Sequence, residues 1–170
     1  MRHPELQETG MLVRAALDGM YDKSGLPLFD HCWRVSELIE RQLQEWGRED
    51  EGCEHLGLLH DILEDGRDVD ESTLLDMGYP RDLVIRVQCL TIREGWSYKT
   101  YIENICSLGD WQTILTKIAD NADNTEPWRL ASLDRRTRIS FIERYKWARE
   151  QLLLAWSERG FRAEIGEITI

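Results

Sequence analysis

Apolar residues in this chain recur every three or four positions rather than every second one. Val35, Leu38, Ile39, Leu43 and Trp46 follow one face of a helical repeat. That spacing predicts a helix from about Phe29 to Trp46, closed by Gly47. The same periodicity predicts helices over Glu5–Met20, Glu51–Leu63, Glu71–Met77, Arg81–Thr91, Ser97–Leu108, Trp111–Ala122 and Arg135–Ser157. Punctuation agrees, at Ser24-Gly25 with Pro27, then Gly47, Gly66, Gly78 with Pro80, Gly95, Gly109 and Pro127. No convincing strand survives, so the expected fold is all-α, a compact helical bundle with short connections. The end of the chain, GFRAEIGEITI, alternates weakly, and Glu158 to Ile170 is left unassigned.

Composition narrows the partners. With 170 residues and 42% hydrophobic content the chain fits one domain, 1–170, with a motif-bearing core over about 23–124 and a C-terminal helix over about 135–157. There are 32 acidic against 21 basic residues, a net charge of −11, so no general polyanion-binding surface and no nucleic-acid partner is expected. An anionic substrate would need local lysines or a metal ion to reverse the field in one cleft. The cysteines Cys32, Cys53, Cys89 and Cys106 lack C-x-x-C spacing, and MRHPELQETG has neither a basic nor an apolar leader region, which predicts free thiols in the cytoplasm. The longest apolar run, Leu152 to Trp156, is far short of the ~20 residues that span a bilayer, so no membrane partner is expected. Oligomeric state stays open.

Within LLHDILED, Leu58 to Asp65, four ionisable groups sit in the middle of a core-building pattern. On a continuous helix with His60 at zero, Glu64 lies near ~40°, Asp61 near ~100° and Asp65 near ~140°, while the apolar side chains fill the arc from ~160° to ~300°. Three carboxylates beside an imidazole, partly desolvated, call for a positive charge among them. A divalent cation supplies it, and adjacent His60 and Asp61 can reach one ion. A solvated helix face is the plain alternative.

Two further segments join this one. KIADNADN, Lys117 to Asn124, sets Asp120 beside a lysine and two amides, opposite an apolar arc that includes Ile114, Leu115 and Ile118. Asn121, Asp123 and Asn124 are poor helix formers, a strange choice for an ordinary exposed face. In DKSGLPLFDHCWRV, His31 stands near the start of an amphipathic helix and completes a set of four candidate ligands.

The order His31, His60-Asp61, Asp120 resembles the HD-domain metal-dependent phosphohydrolases. Within them the chain is most similar to the hydrolase domain of RelA/SpoT-type alarmone enzymes and their small stand-alone relatives. The likeness lies in K-S-G-x-P (Lys23 to Pro27), LLHDxxED (Leu58 to Asp65), K-x-A-D-x-x-x-N (Lys117 to Asn124), Leu90-Thr91, and Y-x-x-x-I (Tyr101 to Ile105). It implies an all-helical fold and a divalent metal, commonly manganese, on His31, His60, Asp61 and Asp120, with Glu64 and Asp65 handling the attacking water. An imidazole and carboxylate set suits Mn²⁺ or Fe²⁺ and lacks the thiolates of a structural zinc site. Cys32 lies on the neighbouring helix face and is not expected to ligate.

The expected activity is hydrolysis of a phosphorylated nucleotide, most specifically removal of the 3'-pyrophosphate from guanosine tetraphosphate. Lys23, Lys99, Tyr101, Lys117 and Asn124 are the candidate substrate contacts, the lysines supplying the local positive field. A nucleoside monophosphate, a cyclic nucleotide or an adenosine alarmone is the alternative substrate, and a metal- or nucleotide-binding module without turnover is the alternative of another class. Departures from the family pattern bear on the substrate: Asp22 stands where a basic residue is usual, Cys32 where proline is usual, and Asn121 and Asp123 where a basic and an aromatic or histidine residue are usual. Of the seven tryptophans, Trp96 and Trp128 alone are candidate ligand contacts; Trp33, Trp46, Trp111, Trp147 and Trp156 fall in helical apolar patterns.

Overall fold

A computed structural model describes residues 4–170; residues 1–3, within the expected 1–170 span, lie outside it. The described residues form eleven helices and no strand. These are α1 (Leu6–Ala16), α2 (Leu28–Glu45), α3 (Glu51–Leu59), α4 (Ile62–Asp65), α5 (Glu71–Asp76), α6 (Arg81–Leu90), α7 (Tyr98–Leu108), α8 (Trp111–Asn124), α9 (Pro127–Ser132), α10 (Arg135–Glu158) and α11 (Phe161–Glu164). The all-α expectation holds. No described helix is long and apolar enough to cross a membrane.

The helical stripes read from the sequence become the core. Val35, Ile39 and Leu43 of α2 are buried with Leu56 and Leu59 of α3, Ile114, Leu115 and Ile118 of α8, and Leu152 and Trp156 of α10. Burying each such large side chain contributes about 1.5–3 kcal/mol before the cost of ordering it. α2 packs on α3 and α8, α10 lies against α7 and α8, and α1 covers α3. α8 therefore runs through the middle of the bundle. It starts at Asp110, whose side chain accepts the Thr113 amide N–H at 2.9 Å, an N-cap.

Close approach of α2 and α3 depends on Gly57. A Cβ there would stand 2.8 Å from Ile39 Cδ1 and 2.9 Å from Ser36 Cα, so only glycine admits this crossing. The crossing brings the start of α2, with His31, toward the end of α3, with His60.

Three segments depart from the sequence reading. The helix expected over Glu51–Leu63 breaks at Asp61, whose φ of −100° and ψ of −3° lie in the bridge region. Proline at 127 opens α9 rather than only ending α8, because the first helical position needs no amide donor. The unassigned C-terminus forms α11 and then a strap across α2: the Gln42 side chain accepts the Thr169 amide N–H at 2.7 Å, and the Trp46 indole N–H donates to the Glu167 carbonyl at 2.8 Å.

Candidate metal centre and active site

His31 in the first turns of α2, His60 and Asp61 at the α3–α4 break, and Asp120 on α8 meet at one point. His31 Nε2 lies 3.1 Å from Asp120 Oδ1 and 3.7 Å from Asp61 Oδ2. His60 Nε2 lies 3.2 Å from Asp61 Oδ1 and 3.8 Å from Asp120 Oδ1. The two imidazoles meet nearly edge to face, with ring centroids 5.1 Å apart. LLHDILED is therefore not the continuous helix that its residue pattern predicts. Neighbours on a regular helix point ~100° apart, and the kink at Asp61 is what turns its carboxylate back toward the His60 ring.

Both rings are anchored through Nδ1. His60 Nδ1–H donates to the Gly57 carbonyl at 2.8 Å, and His31 Nδ1–H to Asp123 Oδ2 at 2.7 Å. Each anchor fixes the tautomer that leaves a lone pair on Nε2. His60 Nε2 is buried and accepts no hydrogen bond. Ligand atoms of His31, His60 and Asp120 all lie within 4.8 Å of one another, a spacing one cation can bridge, and Cys32, His60 and Asp61 form an overlapping group. An unpartnered buried nitrogen among nitrogen and carboxylate donors fits a divalent metal. Without one, protons do the neutralising. Burial opposes charge on His31, but hydrogen bonds to Asp120 and Asp123 outweigh it and raise its pKa to about 9. Burial works against the charged form of Asp120 too, yet Lys117 and the two histidines hold it well below the usual carboxylate range.

The centre opens into a cavity of about 410 Å³. Glu64 and Asp65, one turn beyond the break, line it beside Asp61. Glu64 Oε2 accepts the Ile92 amide N–H at 3.1 Å, which ties α4 to the loop before α7. Burial, with Asp61 nearby, raises the pKa of both carboxyls. Of the candidate substrate contacts, Lys23, Tyr101, Lys117 and Asn124 reach the cavity. Lys117 is committed: its Nζ donates to Asp120 Oδ2 at 2.7 Å and sits 4.8 Å from the centre of the Tyr101 ring. Asn124 Nδ2 donates to the other oxygen of Asp120 at 2.5 Å. Lys99 is elsewhere, a correction to the expectation. Its side chain is 70% exposed and lies 3.7 Å from Glu103, because it occupies the outer face of α7.

Sequence reasoning missed the wall that α10 supplies. Phe141, Arg144 and Tyr145 line the cavity together with Tyr98. Arg144 lies over the Tyr98 and Phe141 rings, and Lys23 over Phe141 at 5.0 Å. Only the spacing of Phe141 and Tyr145, one turn apart, could have signalled this face. Trp96 and Trp128 do not line the cavity; each is covered by an arginine, Arg93 and Arg34 respectively.

Residues 28–128, more than half of the chain, match the HD domain family. The chain belongs to the HD-domain family. As such it is a metal-dependent phosphohydrolase. No curated protein sequence matches this HD domain. Its fold is similar to that of a metazoan ortholog of SpoT that hydrolyzes ppGpp and plays a role in starvation responses, with a TM-score of 0.70 and 20% identity, covering 94% of this chain and 99% of that one.

The acidic departures of this HD domain do not act as loose negative charge. Asp22 Oδ1 accepts the Ser24 and Leu26 amides and shapes the loop that carries Lys23, while Oδ2 lies 3.0 Å from Arg129 Nη2. Asp123 Oδ1 accepts Arg34 Nε at 2.6 Å, and Oδ2 accepts Arg129 Nη1 as well as His31. Arg129, buried at the start of α9, thus neutralises both acids from a segment whose helix the sequence reading did not anticipate.

Proposed function

We propose that this HD domain hydrolyses guanosine-3',5'-bis(diphosphate) to guanosine diphosphate and pyrophosphate, with manganese as its metal and in the cytoplasm, which its free cysteines suit. The observation that carries the reading is the meeting, in one cavity, of the His31–His60–Asp61–Asp120 cluster, the Glu64–Asp65 pair and two cations without carboxylate partners. Those cations, among the described lining residues, are Lys23 and Arg144. The structurally similar SpoT ortholog hydrolyses ppGpp, which supports the substrate.

His31, His60, Asp61 and Asp120 would hold the ion. A bound divalent cation supplies Lewis-acid polarisation of a phosphoryl oxygen and acidifies water. Glu64, held by the Ile92 amide, and Asp65 take the proton of the attacking water; their raised pKa values bring them toward the range of an effective general base. Water adds to the phosphorus of the 3'-diphosphate, the bond between that phosphorus and the ribose 3'-oxygen breaks, and the 3'-oxygen leaves with a proton. Lys23 and Arg144 face the diphosphates, and Tyr98, Phe141 and Tyr145 offer ring faces to the base. Lys117 and Asn124 act on Asp120 from both of its oxygens and orient it.

A less highly charged nucleotide is the second reading. It is favoured by the commitment of Lys117 to Asp120, which removes one cation from phosphate binding. Incubating manganese-loaded protein with guanosine tetraphosphate, adenosine alarmones, cyclic nucleotides and monophosphates, then separating products, decides the matter. Guanosine diphosphate with equimolar pyrophosphate is the expected result. Turnover of another nucleotide alone would replace the substrate, and no turnover of any would leave a binding module.

A further inference from the structure

The two histidines of the centre are held by different groups. His60 gives its Nδ1–H to a carbonyl of its own helix, but His31 gives its own to a carboxylate on another helix. Asp120 and Asp123 are three residues apart on α8 and so share a face. Between them they take the His31 ring at both nitrogens, Nε2 at 3.1 Å from Asp120 and Nδ1 at 2.7 Å from Asp123. The Asp123 side chain is only 2% exposed, and a carboxylate so placed needs its charge met. Arg34 meets it from α2 at both carboxylate oxygens, and Arg129 from α9 at Oδ2.

We propose that Asp123 is the positioning residue of the metal centre. It fixes the tautomer and rotation of His31 so that the Nε2 lone pair faces Asp61 and Asp120, and Arg34 and Arg129 hold it in register. A neutral imidazole has two tautomers and two flipped orientations. Only an acceptor at Nδ1 selects the arrangement in which Nε2 can ligate, and a carboxylate acceptor also makes the ring a stronger donor. Asp123 touches no reacting atom and acts through His31. The inference rests on the reading of His31 as a metal ligand.

The test is manganese affinity, measured by equilibrium dialysis and by the rise in melting temperature on adding the ion, for wild type and Asp123→Asn. The asparagine keeps an oxygen for His31 but loses the charge and the acceptor for Arg34 Nε. Affinity should fall about 10- to 100-fold, in the range seen when groups that orient metal-bound histidines are removed. Turnover lost at limiting manganese should return at saturating manganese, which a group acting on the reacting atoms would not allow. A merely structural Asp123 lowers the melting temperature of the metal-free protein but leaves affinity unchanged, and that result overturns the proposal. If Asp123→Asn does not fold, the pair Asp123→Asn with Arg34→Gln removes an arginine along with the carboxylate and carries the same measurement. Wild type that takes up no manganese overturns the metal reading itself, and this inference with it.

Discussion

His60 Nε2 stands 3.2 Å from Asp61 Oδ1 across a break between two helices, although sequence neighbours on one continuous helix would diverge. The break is therefore part of the site: it lets two consecutive residues present donors to the same point. His60→Ala and Asp61→Ala should each lose metal and activity together. Metal content by elemental analysis, alongside turnover, checks this, and a variant that keeps full occupancy would show that its residue is not a ligand.

Metal removal should be visible in stability. Ligand atoms of His31, His60 and Asp120 lie within 4.8 Å of one another, and with no ion the Asp120 charge is met by protons and Lys117. An ion that binds the folded chain alone adds about 2.7 kcal/mol of stability at a hundredfold excess over its Kd. One divalent ion per chain and a melting temperature that falls on chelation are expected. Absence of an ion from the purified protein, together with no thermal shift on adding manganese, would refute the centre.

Glu64→Gln and Asp65→Asn keep shape while removing a base. Turnover should drop by ~10² to 10⁴ with metal binding and KM near normal, since neither residue belongs to the ligand cluster. Unchanged kcat in both variants would remove them from the chemistry.

The core was legible because Val35, Ile39 and Leu43 recur at a spacing that only a helix places on one face. The grouping of His31, His60, Asp61 and Asp120 was legible through motif order, since periodicity says which face a residue takes but not which helices cross. The Asp61 kink was not, because LLHDILED contains no glycine or proline to mark it. Nor was α9, a helix of six residues, which is too short to show a period. Arg129 and Arg144 escaped for a related reason: a basic residue reads as surface until the tertiary fold turns it inward.

Gly57→Ala tests the crossing that delivers the two histidines. Alanine favours the helix by about 1 kcal/mol over glycine, yet its Cβ would press on Ser36 Cα at 2.9 Å, a backbone atom that cannot rotate away. Overpacking of this kind costs about 1–3 kcal/mol, so the net effect should be lower stability despite the better helix former. Because α2 must shift away from α3, manganese affinity should weaken as well. A variant with a higher melting temperature than wild type would show that α2 and α3 separate freely.

Arg144 and Lys99 differ in where the fold puts them. Both are basic and within reach of the motif region in sequence, but Arg144 lines the cavity over Tyr98 and Phe141 while Lys99 faces Glu103 on the exposed side of α7. If Arg144 grips a phosphate, Arg144→Ala removes a charge-assisted hydrogen bond worth about 1.5–3 kcal/mol, a rise in KM of roughly 10- to 100-fold with a smaller effect on kcat. Lys99→Ala should leave KM unchanged, since its ion pair is exposed and contributes little. Lys23→Ala should resemble Arg144→Ala, because Lys23 approaches the same Phe141 ring from the loop before α2. Steady-state kinetics of the three variants on one nucleotide, at low and high salt, reads the difference. A KM for Arg144→Ala equal to that of wild type would remove α10 from substrate binding, and a raised KM for Lys99→Ala would place the substrate outside the cavity.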